Sequence, residues 1–310
     1  MSTSPAILRT ALLGLTLLTG AQAQQVPDLD ADVTVTAPAF ERGAGPVVAI
    51  DGGHLNFHTL ENRFAPFAAL LHQDGFRVSA VQADFSAESL RNIDILVIAN
   101  ALNTLNRERW ATPVHGAFTS DEIKAVARWV ADGGSLLLLA DHFPFAGAAA
   151  GLAAAFGIGF INGFALAVPI AGSDIFSSRS GTLRDDTITR GRNEEENVTA
   201  VTTFTGSAFK APPGARPLLV LPENFVLLLP AVAWQFDEDT PRLSGAGYLQ
   251  GAAMRYGKGR VAVFAEAGMF TAQRTKSEPT VRIGFNATEA PQNKQFILST
   301  LRWLAGILQE

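Results

Sequence analysis

The 310-residue sequence contains no cysteine. That absence excludes disulfides, thiolate metal sites, cysteine nucleophiles and acyl-lipid attachment at a thiol. Charge is also sparse: 17% of residues are Asp, Glu, Lys or Arg, too few for a disordered polyelectrolyte or a highly charged coiled coil. Basic residues are not in excess, with 24 Lys+Arg against 29 Asp+Glu and a formal net charge of −5. Nucleic acid is therefore excluded as a partner, because such binders need a basic face to displace counterions from phosphate. No P-loop occurs, and Gly52-Gly53 is too short a cluster for a dinucleotide fingerprint. No Gly-x-Ser-x-Gly elbow announces a serine nucleophile. What remains is a chain with 47% hydrophobic residues, long enough for one large domain with a substantial core.

The N-terminus reads as a targeting segment. Arg9 precedes the apolar run Ala11 to Leu18, and Ala21-Gln22-Ala23 supplies small residues where a signal peptidase cuts. The run is too short to cross a bilayer, which takes roughly 20 residues. A signal peptide over residues 1–23 is expected, giving an exported protein, periplasmic or secreted, with no membrane span after cleavage. Residues 24–45, with Pro27, Pro38 and several Asp, read as an extended leader. Residues 46–308 read as a single α/β domain, with an insertion over roughly 143–215.

Within that domain, strands and helices alternate. Val47 to Ile50 stops at Asp51-Gly52-Gly53, and a helix fits Glu61 to Gln73. A strand over Arg77–Val81 and a short helix near Ala87–Arg91 follow. Ile95 to Ala99 is continuously apolar, as a strand buried on both faces must be, and ends at Asn100. Thr119 and Glu122 have capping-box spacing at the head of a helix with Ile123, Val126 and Val130 on one stripe. Ser135 to Ala140 is a second fully apolar strand, ending at Asp141-His142. Gly251–Tyr256 and Arg260–Phe264 make a hairpin that stops before Glu266, and a final helix spans about Gln292 to Leu308. The pattern predicts a mostly parallel, doubly wound sheet with an elaborated, β-containing second half.

Ligands of such sheets bind beyond the carboxyl ends of the strands. Four strands end in polar residues there: Asp51 with His54, Asn56 and His58; Asn100 with Asn103; Asp141 with His142; and Glu266. Three of the five histidines fall in this set. Singly, each has an ordinary reading as a turn former, a cap or an ion-pair partner. Together they suggest a site with Asp51, His54, Asp141, His142 and Glu266 as reactive groups, and Asn56, His58, Asn100 and Asn103 as ligand contacts. Two chemistries fit: a divalent metal that activates water, or a histidine base held by a carboxylate with no metal. The spacing of Asp51, His54 and His58 is not an established metal pattern, which weakens the first. At Asp141-His142, a neighbouring carboxylate should raise the histidine pKa, and the following helix should turn N–H groups toward the same cavity.

The runs Val47–His58, Ser120–Trp129, Gly133–His142 and Gly257–Phe264 resemble the class I glutamine amidotransferase-like superfamily. The branch they resemble is its exported bacterial members of undefined function, relatives of trehalose-utilisation-like domains and of the amidotransferase-like domain of an intraflagellar transport protein. The resemblance covers roughly residues 46–305 and implies a flavodoxin-like three-layer sandwich. True amidotransferases place a nucleophilic cysteine at the elbow, where this chain has Asp141-His142, so thiol-based glutamine hydrolysis is excluded. The expected function is a hydrolase-like domain acting on a small polar molecule such as a carbohydrate. The rival is a binding domain that keeps the fold without chemistry.

Overall fold

The computed structural model describes residues 25–309. The expected signal peptide lies outside the described residues. In chain order the elements of the first half are β1 (Gln25–Pro27), β2 (Val47–Asp51), α1 (Ala65–Gln73), β3 (Arg77–Val81), β4 (Ile95–Ala99), α2 (Ser120–Asp132), β5 (Ser135–Leu139) and α3 (Phe145–Ala154). The second half contains β6 (Gly159–Ala167), β7 (Asp174–Ser177), the one-turn α4 (Thr187–Arg190), β8 (Ala200–Thr203), β9 (Gly206–Lys210), β10 (Arg216–Val220) and β11 (Phe225–Leu228). It ends with β12 (Arg242–Ser244), β13 (Leu249–Tyr256), β14 (Gly259–Phe264), β15 (Ala272–Thr275), β16 (Arg282–Gly284) and α5 (Asn293–Leu304).

One 11-stranded sheet dominates, in the order β12-β11-β6-β9-β13-β14-β5-β4-β2-β3, with β10 added against β13. Only the run from β14 through β5, β4 and β2 to β3 is parallel. The pairings on the other side of β14 are antiparallel. The expectation of a mostly parallel sheet is thus corrected to a mixed one. The reason lies in the connections. A parallel pair needs a long crossover, whereas an antiparallel pair needs only a turn. Between α3 and α5 the chain is rich in Gly, Ala, Ser and Thr and has little helical periodicity, so its strands return by turns. Strands β6 and β9 to β14 join the main sheet, while β7 with β8, and β15 and β16 with β1, form small separate sheets.

The parallel strands explain their own apolar runs. Val48, Ile50, Val97, Leu137 and Phe264 point to one face, against Phe67 and Leu71 of α1 and Phe296 and Leu301 of α5. Ala49, Leu96, Leu136, Leu138 and Val263 point to the other, against Val126 and Val130 of α2 and Leu152 of α3. Both faces are covered, so every position is apolar. Helix α2 starts at the expected capping box, with Thr119 accepting from the Glu122 amide and Glu122 reaching back to Thr119. Helix α1 begins four residues later than expected, with Pro66 in its first turn, where a missing N–H costs nothing. The segment near Ala87–Arg91 is a series of turns, not a helix.

Two further features frame the site. The leader is partly regular: β1 pairs antiparallel with β15, matching Gln25 with Thr275 and Pro27 with Gln273. Arg302 of α5 is fully buried and donates to Asp74 (2.6 and 2.9 Å), Glu196 (2.8 Å) and the Ala37 carbonyl (3.0 Å). That one guanidinium ties the leader, the end of α1 and the second half to the last helix.

Candidate functional site

Strands β5 and β14 are neighbours in parallel register, with Leu139 opposite Phe264. Asp141 and Glu266, each two residues beyond its strand, therefore emerge side by side at the carboxyl edge. Asn100 follows the adjacent β4 in a left-handed conformation (φ 61°), which asparagine tolerates better than most residues. That turn lets its carboxamide bracket Asp141: Nδ2 donates to Asp141 Oδ2 at 3.0 Å, and Oδ1 accepts from the Asp141 amide at 2.8 Å. Asp141 Oδ1 also accepts from the Ala267 amide at 3.1 Å. Glu266 Oε2 accepts from Met269 N at 2.8 Å, and Oε1 from Phe204 N at 3.4 Å.

Both carboxyls are perturbed upward. Burial is the main cause for Asp141, whose pKa rises to about 7 despite the donors from Asn100 and Ala267. Glu266 is raised well above the ordinary range by burial and then by the charge of Asp141. Two like charges in a buried setting cannot both ionise cheaply, so near neutrality the pair shares a proton.

The pair faces a cavity of about 120 Å³ that His58 and His142 also line. His142 donates from Nδ1 to the Phe143 carbonyl (2.7 Å), which leaves Nε2 as an acceptor. Its ring stacks on Phe164 at 4.6 Å, with Trp234 edge-on at 4.7 Å. Burial pushes its pKa down to about 4, opposite to the rise expected from the sequence. Burial outweighs the hydrogen bond to the Phe143 carbonyl, which favours the charged ring. His58 stacks on Phe64, and its Nδ1 is buried without a hydrogen-bond partner. Burial, and then the charge of Arg63, lower its pKa to about 3. Both imidazoles are neutral at pH 7. The expected anion-attracting helix start does not form freely: in α3 the Phe145 amide bonds the His142 carbonyl and the Gly147 amide bonds Asn162 Oδ1.

Asp51 and His54 lie off this cavity. His54 Nδ1 bonds both Asp51 oxygens (2.9 and 3.0 Å), while its Nε2 bonds Glu122 Oε1 at 2.7 Å. Phe85 and Phe118 flank the ring, at 4.5 and 4.8 Å. Although burial opposes the charge, Asp51 and then Glu122 raise the His54 pKa to about 9. Burial likewise works against ionised Glu122, but the Thr119 amide, His54 and further donors bring it down to about 2. This is an imidazolium clamped between two carboxylates, pinning the head of α2 to the loop after β2. His54, Asp84 and Glu122 also bring ligand-type atoms within 4.8 Å of one another, the one such group among the described residues. Both His54 nitrogens and both Glu122 oxygens are already bonded, so a metal there would have to displace the clamp.

The other expected contacts have structural duties. Asn56 donates to Asp51 (2.7 Å) and accepts from the Ala99 amide (3.0 Å). Asn103 caps a short 3₁₀ turn and donates to the Gly116 carbonyl at 2.7 Å. Sequence reasoning gave no role to Phe57, Trp110, Gln25 or Gln273, which line the cavity, or to Glu122 as a partner of His54. Trp110 had one signal, a tryptophan in a loop after Arg107-Glu108-Arg109. Gln25 and Gln273 had none, because β1 and β15 meet only through long-range pairing.

No family model matches the chain, and no curated protein does either. Solved structures resemble it in fold. The mmIFT52 N-terminal domain superposes with a TM-score of 0.57 at 13% identity, covering 83% of this chain and 97% of that one. A thua-like protein from Bacteroides uniformis reaches 0.42 at 11% identity, over 87% and 93% of the two chains. A GMP synthase subunit from Thermoplasma acidophilum reaches 0.43 at 11% identity, over 85% and 96%. At these identities the likeness concerns architecture alone.

Proposed function

We propose that this chain is an exported hydrolase-like domain that acts on a small polar molecule, with carbohydrate as the leading class, through Asp141, Glu266 and His142. The carrying observation is the pair of buried, raised carboxyls facing one small cavity, which also presents Trp110 and Phe57. Aromatic faces suit the C–H faces of a sugar ring, and paired carboxyls suit acid–base cleavage. The winding of the parallel half supports reading the fold as a flavodoxin-like three-layer sandwich: numbered from β2, its order is 2-1-3-4-5. In that reading Asp141 stands where amidotransferases keep their nucleophile.

The roles follow from the surroundings. Asp141, supported as an anion by Asn100 and Ala267, removes a proton from water as the water oxygen attacks the electrophilic carbon. Glu266, the more strongly raised acid, gives its proton to the departing oxygen. The proton gained by Asp141 then returns to Glu266, its coupled neighbour. A base poised near 7 is well matched to work at neutral pH. His142 Nε2 orients the substrate by accepting one of its hydrogen bonds.

The test is a panel of glycosides and esters presented to the processed protein and to two near-isosteric variants. Asp141→Asn and Glu266→Gln should each lose about 10²-fold or more in turnover while unfolding cooperatively, with stability at neutral pH no lower than the parent's. Equal turnover in parent and both variants would end this reading.

A further inference from the structure

The cavity wall can be sorted by what each polar group still offers a ligand. His142 Nδ1 is spent on the Phe143 carbonyl, so Nε2 can only accept. Gln273 is buried in β15, with its Nε2 on Thr271 Oγ1 at 2.8 Å. Thr271 Oγ1 gives its own proton to the Gly268 carbonyl at 2.7 Å, so toward Gln273 it must be the acceptor. The carboxamide is thereby held one way round, leaving Gln273 Oε1 an orphaned acceptor. Asp141 and Glu266 add carboxyl oxygens and, sharing one proton, a net negative charge. Among the described residues, no lysine or arginine lines the cavity. Arg63 stands behind the wall: its guanidinium lies 4.1 Å from the Phe57 ring centre and donates to the Gln25 carbonyl at 3.2 Å.

The wall thus offers unspent acceptors beside a carboxyl pair, the net charge is negative, and Trp110 and Phe57 contribute ring faces. We propose that the cavity selects a ligand rich in hydrogen-bond donors and carrying a positive charge, a small hydroxylated amine, and rejects anions of the same shape. An ammonium satisfies the orphaned acceptors, neutralises the carboxyl pair and is attracted to the aromatic faces. An anion would meet the carboxyl pair with no lysine or arginine in the described lining to compensate it.

This inference deepens the hydrolase-like reading of the same cavity and rests on it, but its test reads binding alone. Three sugars of one shape and different charge serve as probes: glucosamine, glucose and glucuronate, titrated into the processed protein at pH 7 by calorimetry. The expected order is glucosamine tightest, by about tenfold over glucose, with glucuronate weakest. Asp141→Asn should shrink the ratio of glucosamine to glucose affinity toward one, and Glu266→Gln provides the same comparison if the first variant folds poorly. Glucuronate binding as tightly as glucosamine, equal affinity for all three, or no binding by any of them would overturn the assignment. If the order holds while neither variant loses turnover, the ligand class stands and the catalytic reading falls. If turnover is lost but the charge order is absent, the reverse follows.

Discussion

Replacing His54 by leucine separates a structural from a catalytic role for this residue. The substitution keeps bulk between Phe85 and Phe118 but leaves buried Asp51, and Glu122, without their shared cation. The His54 pKa rises from 6.5 to about 9, which corresponds to roughly 3 kcal/mol of stabilisation. Breaking one partner out of a buried pair costs a similar amount, about 3–5 kcal/mol. Urea unfolding at pH 6 should therefore find His54→Leu about 3 kcal/mol less stable, and its melting temperature roughly 5–10 °C lower. The pH dependence carries a sign. A raised histidine pKa contributes stability that is complete below 6.5 and fades as pH climbs through 9, so the gap between parent and variant should narrow over that window. Glu122, lowered to about 2, contributes stability that is present above 4.5 and lost as pH falls through 2, so the gap should also close in acid. Turnover and ligand affinity should survive wherever the variant is folded. A variant of unchanged stability that has lost its activity would return His54 to the site and refute the clamp.

Glu266→Gln should become more stable relative to the parent as pH rises above about 4.5, since the parent must either hold a proton or bury a second charge; parallel melts across pH would show the curves diverging, and superimposable curves would contradict the raised pKa. Arg302→Met should cost about 3–5 kcal/mol in urea unfolding by leaving buried Asp74 without a cation, while Glu196 keeps Arg192; a loss under about 1 kcal/mol would mean the network contributes little. Protein recovered from the envelope of a bacterial host should begin at Gln24, as read by N-terminal sequencing, and an intact Met1 would overturn the expectation of export.

Legibility followed the range of the interactions. Strands β4 and β5 announce themselves as unbroken apolar runs because both faces are covered, and α2 because its capping box is local. The antiparallel half was harder: its Gly- and Ala-rich strands carry little periodicity, and β6 pairs with β9 and β11 across long stretches of chain. The same division runs through the site. That Asp141 and Glu266 would meet was readable, since each ends a strand and strand ends share an edge. Asp51 obeys the same rule, yet it turns aside, and the cause is a neighbour. Strand β2 lies two places from β5, separated by β4, and the Asp51 side chain does not line the cavity after β5 but holds His54, which reaches Glu122 at the head of α2. There Glu122, already fixed by its capping bonds to Thr119, needed one more donor, and His54 bridges the two acids. His58, four residues further along the same loop, escapes that clamp and reaches the cavity. Strand-end position therefore narrowed the candidates, but whether a polar side chain serves the cavity or the scaffold depended on which partner across the fold claimed it first.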